Sequence, residues 1–490
     1  MLAADHVEER GLIMAKIDKT VGKSWLKELG YDVPETGMEG YIDEWWSWEC
    51  ATSAFYDSTV VVDKETYKVE RISMCPGKMI CEDWAHLCVN EETVIGFAGV
   101  TDLDDNKTPE KNLALTNEWL QAWVEDSGLL RCHDPLERAF GVGTVCFALG
   151  LKDIYDTGEP NDKAKVLLQW SDVRHFVPLA WDETGVQAVA IYTSVVIDGK
   201  SCTQVTVHRP GDNGYEIHTA FFKGNGNRFI PDGFTSCVKT NSKTPTFALF
   251  SPAIDNTYVD HSPLGVSVLD RVIGAIKLSD GAFDNMWKDI FLGQKMVFMS
   301  ESLLRKNADG TTTVPRAESQ QFILTDSDKI EADELIHEYN PDLRTSDNRQ
   351  AINTGLALLG KRAGFGISYY ELDKDGSFNK TAKEVAAANA ELLRNTKDHE
   401  ANIEKAFVTI CTAAVALAKQ YIDTSLVEVD GLISVTFGDT IIEDDQTDRE
   451  NDRADVAAGL MPAWKYAMKW HGLTEEEAKE WTDEPEVPEV

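Results

Sequence analysis

The chain reads as an α+β protein, and three observations carry that reading. Two long helical patterns flank a short strand-rich insert at 293–343, and a third, very long pattern follows a glycine-punctuated loop. Between Gly143 and Phe250 the sequence switches to short alternating runs broken by turn residues, the mark of antiparallel hairpins. Periodic βα units, which would signal a parallel sheet, are missing from the pattern.

Near the start, Tyr41, Trp45, Trp46, Trp48, Phe55 and Tyr56 form an aromatic knot. Tryptophans at that density can stack on sugars or bases, but the helical spacing of Tyr41, Trp45 and Trp48 favours burial. Lys78 to Val89 reads as a helix, and Asn112 to Glu125 as another with Trp119, Leu120 and Trp123 on its apolar face. The polar stretch from Thr101 to Pro109 between them is a loop. The alternating runs are Val186–Val196, Thr203–His208, Tyr215–Phe222 and Thr246–Phe250. Turns separate them at Asp198-Gly199, Asp212-Asn213-Gly214 and Gly224-Asn225-Gly226.

The first long pattern opens at Ser262-Pro263, a capping hydroxyl followed by a proline at the first helical position, where a missing N–H costs nothing. It carries Leu264, Val268, Leu269, Val272, Ile273, Ile276, Phe283, Met286, Trp287, Ile290 and Phe291 down to Gly293, a rod of about 40 Å. In the insert, Lys295–Met299, Thr311–Val314 and Gln320–Leu324 read as strands, with a turn from Asn307 to Gly310; the unit is too small for a core of its own. The second pattern runs from Thr345-Ser346-Asp347 through Ile352, Leu356, Leu358 and Leu359 to Gly364 and Gly366. The third opens at a capping box made by Thr381 and Glu384. Neither glycine nor proline interrupts it before Tyr421, so a helix of about 60 Å is expected. Further on, Leu432–Phe437 is a strand, Asp448–Leu460 and Trp464–His471 are short helices, and Thr474 starts another. The acidic tail at 483–490 is expected to be disordered.

With 490 residues, 43% of them hydrophobic, the chain has room for about two to four structural units with real cores. Asp and Glu number 83 against 47 Lys and Arg, a net charge of −36. That balance argues against tight nucleic-acid binding through phosphate neutralisation; solubility is its first reading, and a surface that DNA moves past without sticking is the sharper one. Nine cysteines without a dense framework fit a reducing compartment. No run of eighteen consecutive apolar residues and no basic-then-apolar leader is found, so a soluble, cytoplasmically made protein without a membrane partner is expected.

Motifs with chemical meaning fail one by one. Gly22-Lys23-Ser24 ends like a phosphate loop, but the first glycine of that motif would fall at Ile17. The stretch from Glu371 to Asn379 imitates a calcium loop, yet its twelfth position, which should be a bidentate glutamate, is Ala382. Cys75, Cys81, His86 and Cys88 cluster, but His86 leaves the helix face that Cys81 and Cys88 share, and no second cysteine pair stands at zinc spacing. Carboxylates are plentiful, yet none pair at strand ends in a βα repeat, and no nucleophile elbow surrounds a serine. No catalytic residue, metal or cofactor is therefore expected. A carbohydrate-active enzyme, built on the tryptophan-rich start and a carboxylate pair, is the alternative.

Several segments in order carry a resemblance. They are Ile42–Trp48, Arg71-Ile72-Ser73-Met74, and the run from Lys78 through Trp84 and Leu87 to Asn90-Glu91. Ser262-Pro263-Leu264-Gly265 leads into the first long helix, which closes at Phe291-Leu292-Gly293, and Thr381–Val385 opens the longest one. The last are Phe437–Asp445, Ala457–Met461, Trp464, Tyr466, Met468 and Gly472–Ala478. Together they resemble the portal proteins of tailed double-stranded DNA bacteriophages, of the siphophage type. The resemblance implies a portal fold with a wing at 1–262 to which 422–440 returns, stem helices at 263–292 and 344–364, and a clip at 293–343. A channel loop at 365–380, a long helix at 381–421 and a crown at 441–482 complete it. It further implies a homo-oligomeric ring in the virion, commonly of twelve subunits, at one capsid vertex. Double-stranded DNA would pass through it without sequence preference during packaging and ejection. The terminase motor, a head-completion adaptor and the major capsid and scaffold proteins are the implied partners. In the channel loop, Tyr369, Tyr370, Lys374, Asn379 and Lys380 are the candidates to touch DNA. Another virion structural protein is the remaining reading.

Overall fold

The computed structural model describes residues 18–97, 108–155, 159–161, 163–224, 226–231, 234–293, 296–300, 322–325, 336–339, 341–372, 382–438, 445–457, 461–471 and 474–482. Helices α1 (Lys23–Glu28) and α2 (Glu39–Glu49) precede a hairpin of β1 (Asp57–Val62) and β2 (Glu65–Glu70). Next come α3 (Pro76–Cys88), β3 (Val94–Phe97), α4 (Thr108–Ser127) and α5 (His133–Val142). A strand-rich stretch follows: β4 (Val145–Lys152), β5 (Lys165–Asp172), β6 (Phe176–Asp182), β7 (Gly185–Ile197), β8 (Lys200–Pro210) and β9 (Tyr215–Lys223). Three short strands, β10 (Arg228–Phe229), β11 (Cys237–Lys239) and β12 (Phe247–Phe250), end it. Then come α6 (Ile273–Leu292), β13 (Met296–Ser300), β14 (Phe322–Thr325), β15 (Ile336–Tyr339), α7 (Thr345–Ala363) and α8 (Ala382–Tyr421). Strand β16 (Ile433–Thr436) and helices α9 (Asp445–Ala457), α10 (Ala463–His471) and α11 (Glu475–Thr482) close the order. Helices and antiparallel sheets in separate runs make the fold α+β.

The largest sheet runs β10-β9-β8-β7-β6, with β11 also paired to β9, and all its pairings are antiparallel. Asp198 and Gly199, both at positive φ, make the tight turn between β7 and β8, as Asp63 and Lys64 do between β1 and β2. A second sheet has the order β12-β4-β5. Strand β16 pairs with β3, bringing Ile433 opposite Phe97 across more than three hundred residues of sequence. In the insert, β13 lies between β14, parallel to it, and β15, antiparallel. Thr311–Val314 lies outside the described residues.

Helix α8 is the spine of the core. Its 40 residues span about 60 Å. Ile403, Phe407, Ile410, Val415 and Leu417 are buried with Val145, Phe147 and Phe250 of the second sheet and Trp84 of α3. The stretch Ala390–Tyr421 is long and apolar enough to cross a membrane, but its apolar side chains are spent on this core.

The first long helix is shorter than its periodicity suggests: it begins at Ile273, not at Pro263. Residues 263–272 are held by distant backbone instead. Gly265 N–H donates to Thr144 Oγ1 at 2.9 Å, Val268 N–H to the Phe140 carbonyl at 3.1 Å, and Ser267 Oγ to the same carbonyl at 2.8 Å. The approach is so close that a Cβ on Gly143, at φ +92°, would stand 2.6 Å from the Gly265 carbonyl oxygen. Leu264, Val266, Val268, Leu269 and Val272 are buried all the same, so their spacing records burial without helix. What remains is a 20-residue rod of about 30 Å.

Candidate functional site

Helices α6 and α7 pack antiparallel. At one end Arg344 Nη2 donates to Asp289 Oδ1 at 2.6 Å and Asn348 Nδ2 to Asp289 Oδ2 at 2.7 Å. Those hydrogen bonds hold the Asp289 carboxyl below its ordinary pKa. Toward the other end Gly355 lies against Ser279, leaving no room for a side chain. The pair keeps large apolar groups in the open: Trp287 is 51% and Phe291 58% exposed, and Leu278, Ile290 and Leu358 are exposed with them.

Two buried acids fasten the start of α3 to α6. Asp280 Oδ2 accepts from Tyr56 Oη and Ser73 Oγ, each at 2.6 Å, and its Oδ1 from the Met74 N–H at 3.0 Å. One turn on, Asp284 takes the Ile72 N–H and the Lys288 ammonium. Sequence reasoning noted the Arg71–Met74 run but missed its partners; the signal was a pair of acids four apart in line with Ile276.

The root of the glycine loop folds back on the body. Gly364 ends α7 at φ +93°, where a Cβ would meet Asn395 Nδ2 at 2.7 Å. Asn395 donates to the Gly364 carbonyl at 2.9 Å, and Trp84 Nε1 to that of Ala363 at 3.2 Å. Phe365 stacks between Trp84, at 4.4 Å, and Tyr369, at 4.6 Å. Tyr370 Oη donates to Asp83 Oδ2 at 2.6 Å; burial first, then that bond, push the phenol far up. Of the five loop candidates, Tyr369 and Tyr370 are thus brought together on α3, half-buried. Lys374, Asn379 and Lys380 lie outside the described residues, as do Thr381 and most of the calcium-like stretch.

In the tryptophan-rich start Tyr41 stays exposed beside Tyr258, their ring centres 4.2 Å apart, but the tryptophans are closed in. Trp45 and Trp48 are buried, and Trp46 sits between the guanidiniums of Arg174, 3.5 Å from its ring centre, and Arg138, at 4.7 Å. Asp172 grips Arg174 through two bonds, Nε to Oδ1 at 3.1 Å and Nη2 to Oδ2 at 2.6 Å. Burial pushes the Asp172 carboxyl up, but bonds from His175 and Arg174 outweigh it and hold it well below the carboxylate range. Arg138 Nη1 donates to Glu49 Oε1 at 2.5 Å, while Glu49 Oε2 has no partner. Cys81 and Cys88 are core residues of α3.

A cleft of about 880 Å³ between the β6–β7 turn, β12 and α8 has Asp182, Glu183, His261 and Lys405 among its lining residues. Asp182 is already engaged, accepting from the Thr184 N–H and hydroxyl.

A helix pair that leaves tryptophan and phenylalanine side chains exposed has the kind of apolar surface that marks interaction sites. A family model for the phage portal protein, SPP1 Gp6-like, matches residues 151–487, well over half of the chain, and the chain belongs to that family. It is a structural component of the virion, of a family that works as a homo-oligomeric ring and is not enzymatic. Among solved structures, a chain of the "Neck of empty GTA particle computed with C6 symmetry" is similar at 10% identity. It covers 93% of this chain and 100% of its own, with a TM-score of 0.37. No curated protein matches.

Proposed function

We propose that twelve copies of this chain form the ring at one capsid vertex through which viral DNA is packaged and later ejected. The observation that carries the reading is the apolar surface of α6 and α7: Leu278, Trp287, Ile290, Phe291 and Leu358 are exposed, and a neighbouring copy would cover them. In this reading α6 and α7 are the stem, the three-stranded insert at 293–343 is the clip, and 441–482 is the crown. Residues 1–262 are the wing, and the pairing of β16 with β3 supports the return of 422–440 to it. The clip is the docking platform for the terminase motor and the head-completion adaptor, while the major capsid and scaffold proteins surround the wing. Residues 365–380 are the channel loop. Lys374, Asn379 and Lys380 meet DNA there, and Tyr369 and Tyr370 serve the same loop from its root, since Tyr370 spends its hydroxyl on Asp83.

Electron microscopy of the purified protein tests this reading. Rings of twelve are the expected outcome; a monodisperse monomer under every assembly condition would overturn it.

A further inference from the structure

On the outer edge of the largest sheet, three metal-ligating side chains converge that the portal reading does not use. Glu216 and His218 stand two apart on β9, so their side chains share a face, and Cys237 of β11 is directly opposite His218 in the register. Glu216 Oε2 lies 3.0 Å from His218 Nε2, and Cys237 Sγ lies 3.8 Å from the same nitrogen. All three donor atoms fall within 4.8 Å of one another. Ligands at about 2.0–2.3 Å in a tetrahedral zinc shell are spaced at roughly these separations.

Arg209 sits against two of the three. Its Nε donates to His218 Nε2 at 3.1 Å and its Nη2 to Glu216 Oε2 at 3.0 Å. The same Nε2 also lies 3.0 Å from the Glu216 carboxylate, so Arg209, His218 and Glu216 form one tight polar cluster. Two cations thus already face the carboxylate, Arg209 at Oε2 and the Lys239 ammonium 3.7 Å from Oε1. The same guanidinium also reaches the Leu29 carbonyl through Nη1 at 3.2 Å, an anchor it keeps if the other two bonds are surrendered.

We propose that Glu216, His218 and Cys237 form a zinc-binding site, with Arg209 as the internal cation that holds the ligands in place and yields to the metal. Binding sets one Zn–S, one Zn–N and one Zn–O bond, with water in the fourth position, and releases the Cys237 thiol proton to solvent. No electron is transferred. The metal staples β11, held to β9 over only three residue pairs, onto the sheet edge.

Titration of the full-length protein with Co²⁺, then Zn²⁺, tests the site. One Co²⁺ per chain is expected, with a thiolate charge-transfer band in the near ultraviolet that Zn²⁺ abolishes. His218→Gln and Cys237→Ser should each weaken binding by at least ~100-fold. Cys75→Ser should leave it unchanged, and Arg209→Ala should tighten it several-fold by removing the competitor. In the unmodified chain, excess Zn²⁺ should protect Cys237 from alkylation, read by mass spectrometry of its peptide, which needs no variant to fold. A missing cobalt band, equal affinity in His218→Gln and Cys237→Ser, or Cys237 alkylated at the same rate with and without Zn²⁺ would each overturn the proposal.

Discussion

Glu49 is the residue whose charge is hardest to house. It is 2% exposed, only one of its oxygens has a partner, and a Cβ on Gly141 would stand 1.9 Å from the other. Burial pushes its carboxyl up to about 8, against the attraction of Arg138. A carboxyl raised in the folded state takes up a proton there that the unfolded chain holds only below its ordinary value of about 4.5. Its contribution is therefore fully present below that value and is lost as pH rises through about 8. Glu49→Gln keeps the shape and removes the titration. The unfolding free energy of the variant, from denaturant titration, should gain on that of the parent between pH 5.5 and pH 8.5 by on the order of a few kcal/mol. A difference that stays constant across those pH values would show that Glu49 does not titrate there. None of this was legible in the sequence, where Glu49 is one acid among 83; its partner Arg138 is eighty-nine positions away.

At the scale of elements, the sequence speaks clearly wherever structure is local. Helix α8 runs from Ala382 to Tyr421 as its unbroken composition requires, and β7, β8 and β9 each lie within three residues of their alternating runs because turns at Asp198-Gly199 and Asp212–Gly214 fix them. It misleads where distant groups compete: residues 263–272 have helical spacing, yet Gly265, Ser267 and Val268 bond to Thr144 and Phe140. The loop root was only half legible for the same reason, since the glycines announced a loop but nothing local announced Trp84 and Asp83 as its anchors. The α6–α7 contact makes the point testable. A Cβ on Gly355 would lie 2.8 Å from Ser279 Cα, whereas one on Gly281 would meet nothing within 4 Å. Gly355→Leu should force the helices apart and cost on the order of 2–4 kcal/mol in denaturant unfolding. Gly281→Ala should be neutral or stabilise by up to about 1 kcal/mol through helix propensity. Equal effects would mean that the close approach of the two helices is not what holds the pair.

For the whole molecule, net charge and the proposed channel loop pull in opposite directions. A surface at −36 per chain repels phosphate, which in the proposed conduit would lower friction for DNA but give nothing to hold it. The loop from Phe365 carries Lys374 and Lys380 beyond a root that Phe365, Tyr369 and Tyr370 fix to α3. A rigid root with basic groups past it would let a ring touch DNA at few points while the wall stays repulsive. If that division holds, replacing both lysines by alanine removes the contact without disturbing the packing of α6 on α7 or the tie from Tyr370 to Asp83. Rings of the double variant should form as the parent's do under the electron microscope. The DNA packaged per particle should fall, with a loss that grows as salt is lowered, because each lysine–phosphate contact weakens as salt rises. Unchanged packaging with intact rings would remove Lys374 and Lys380 as DNA contacts, and failed rings would move them to the subunit interface.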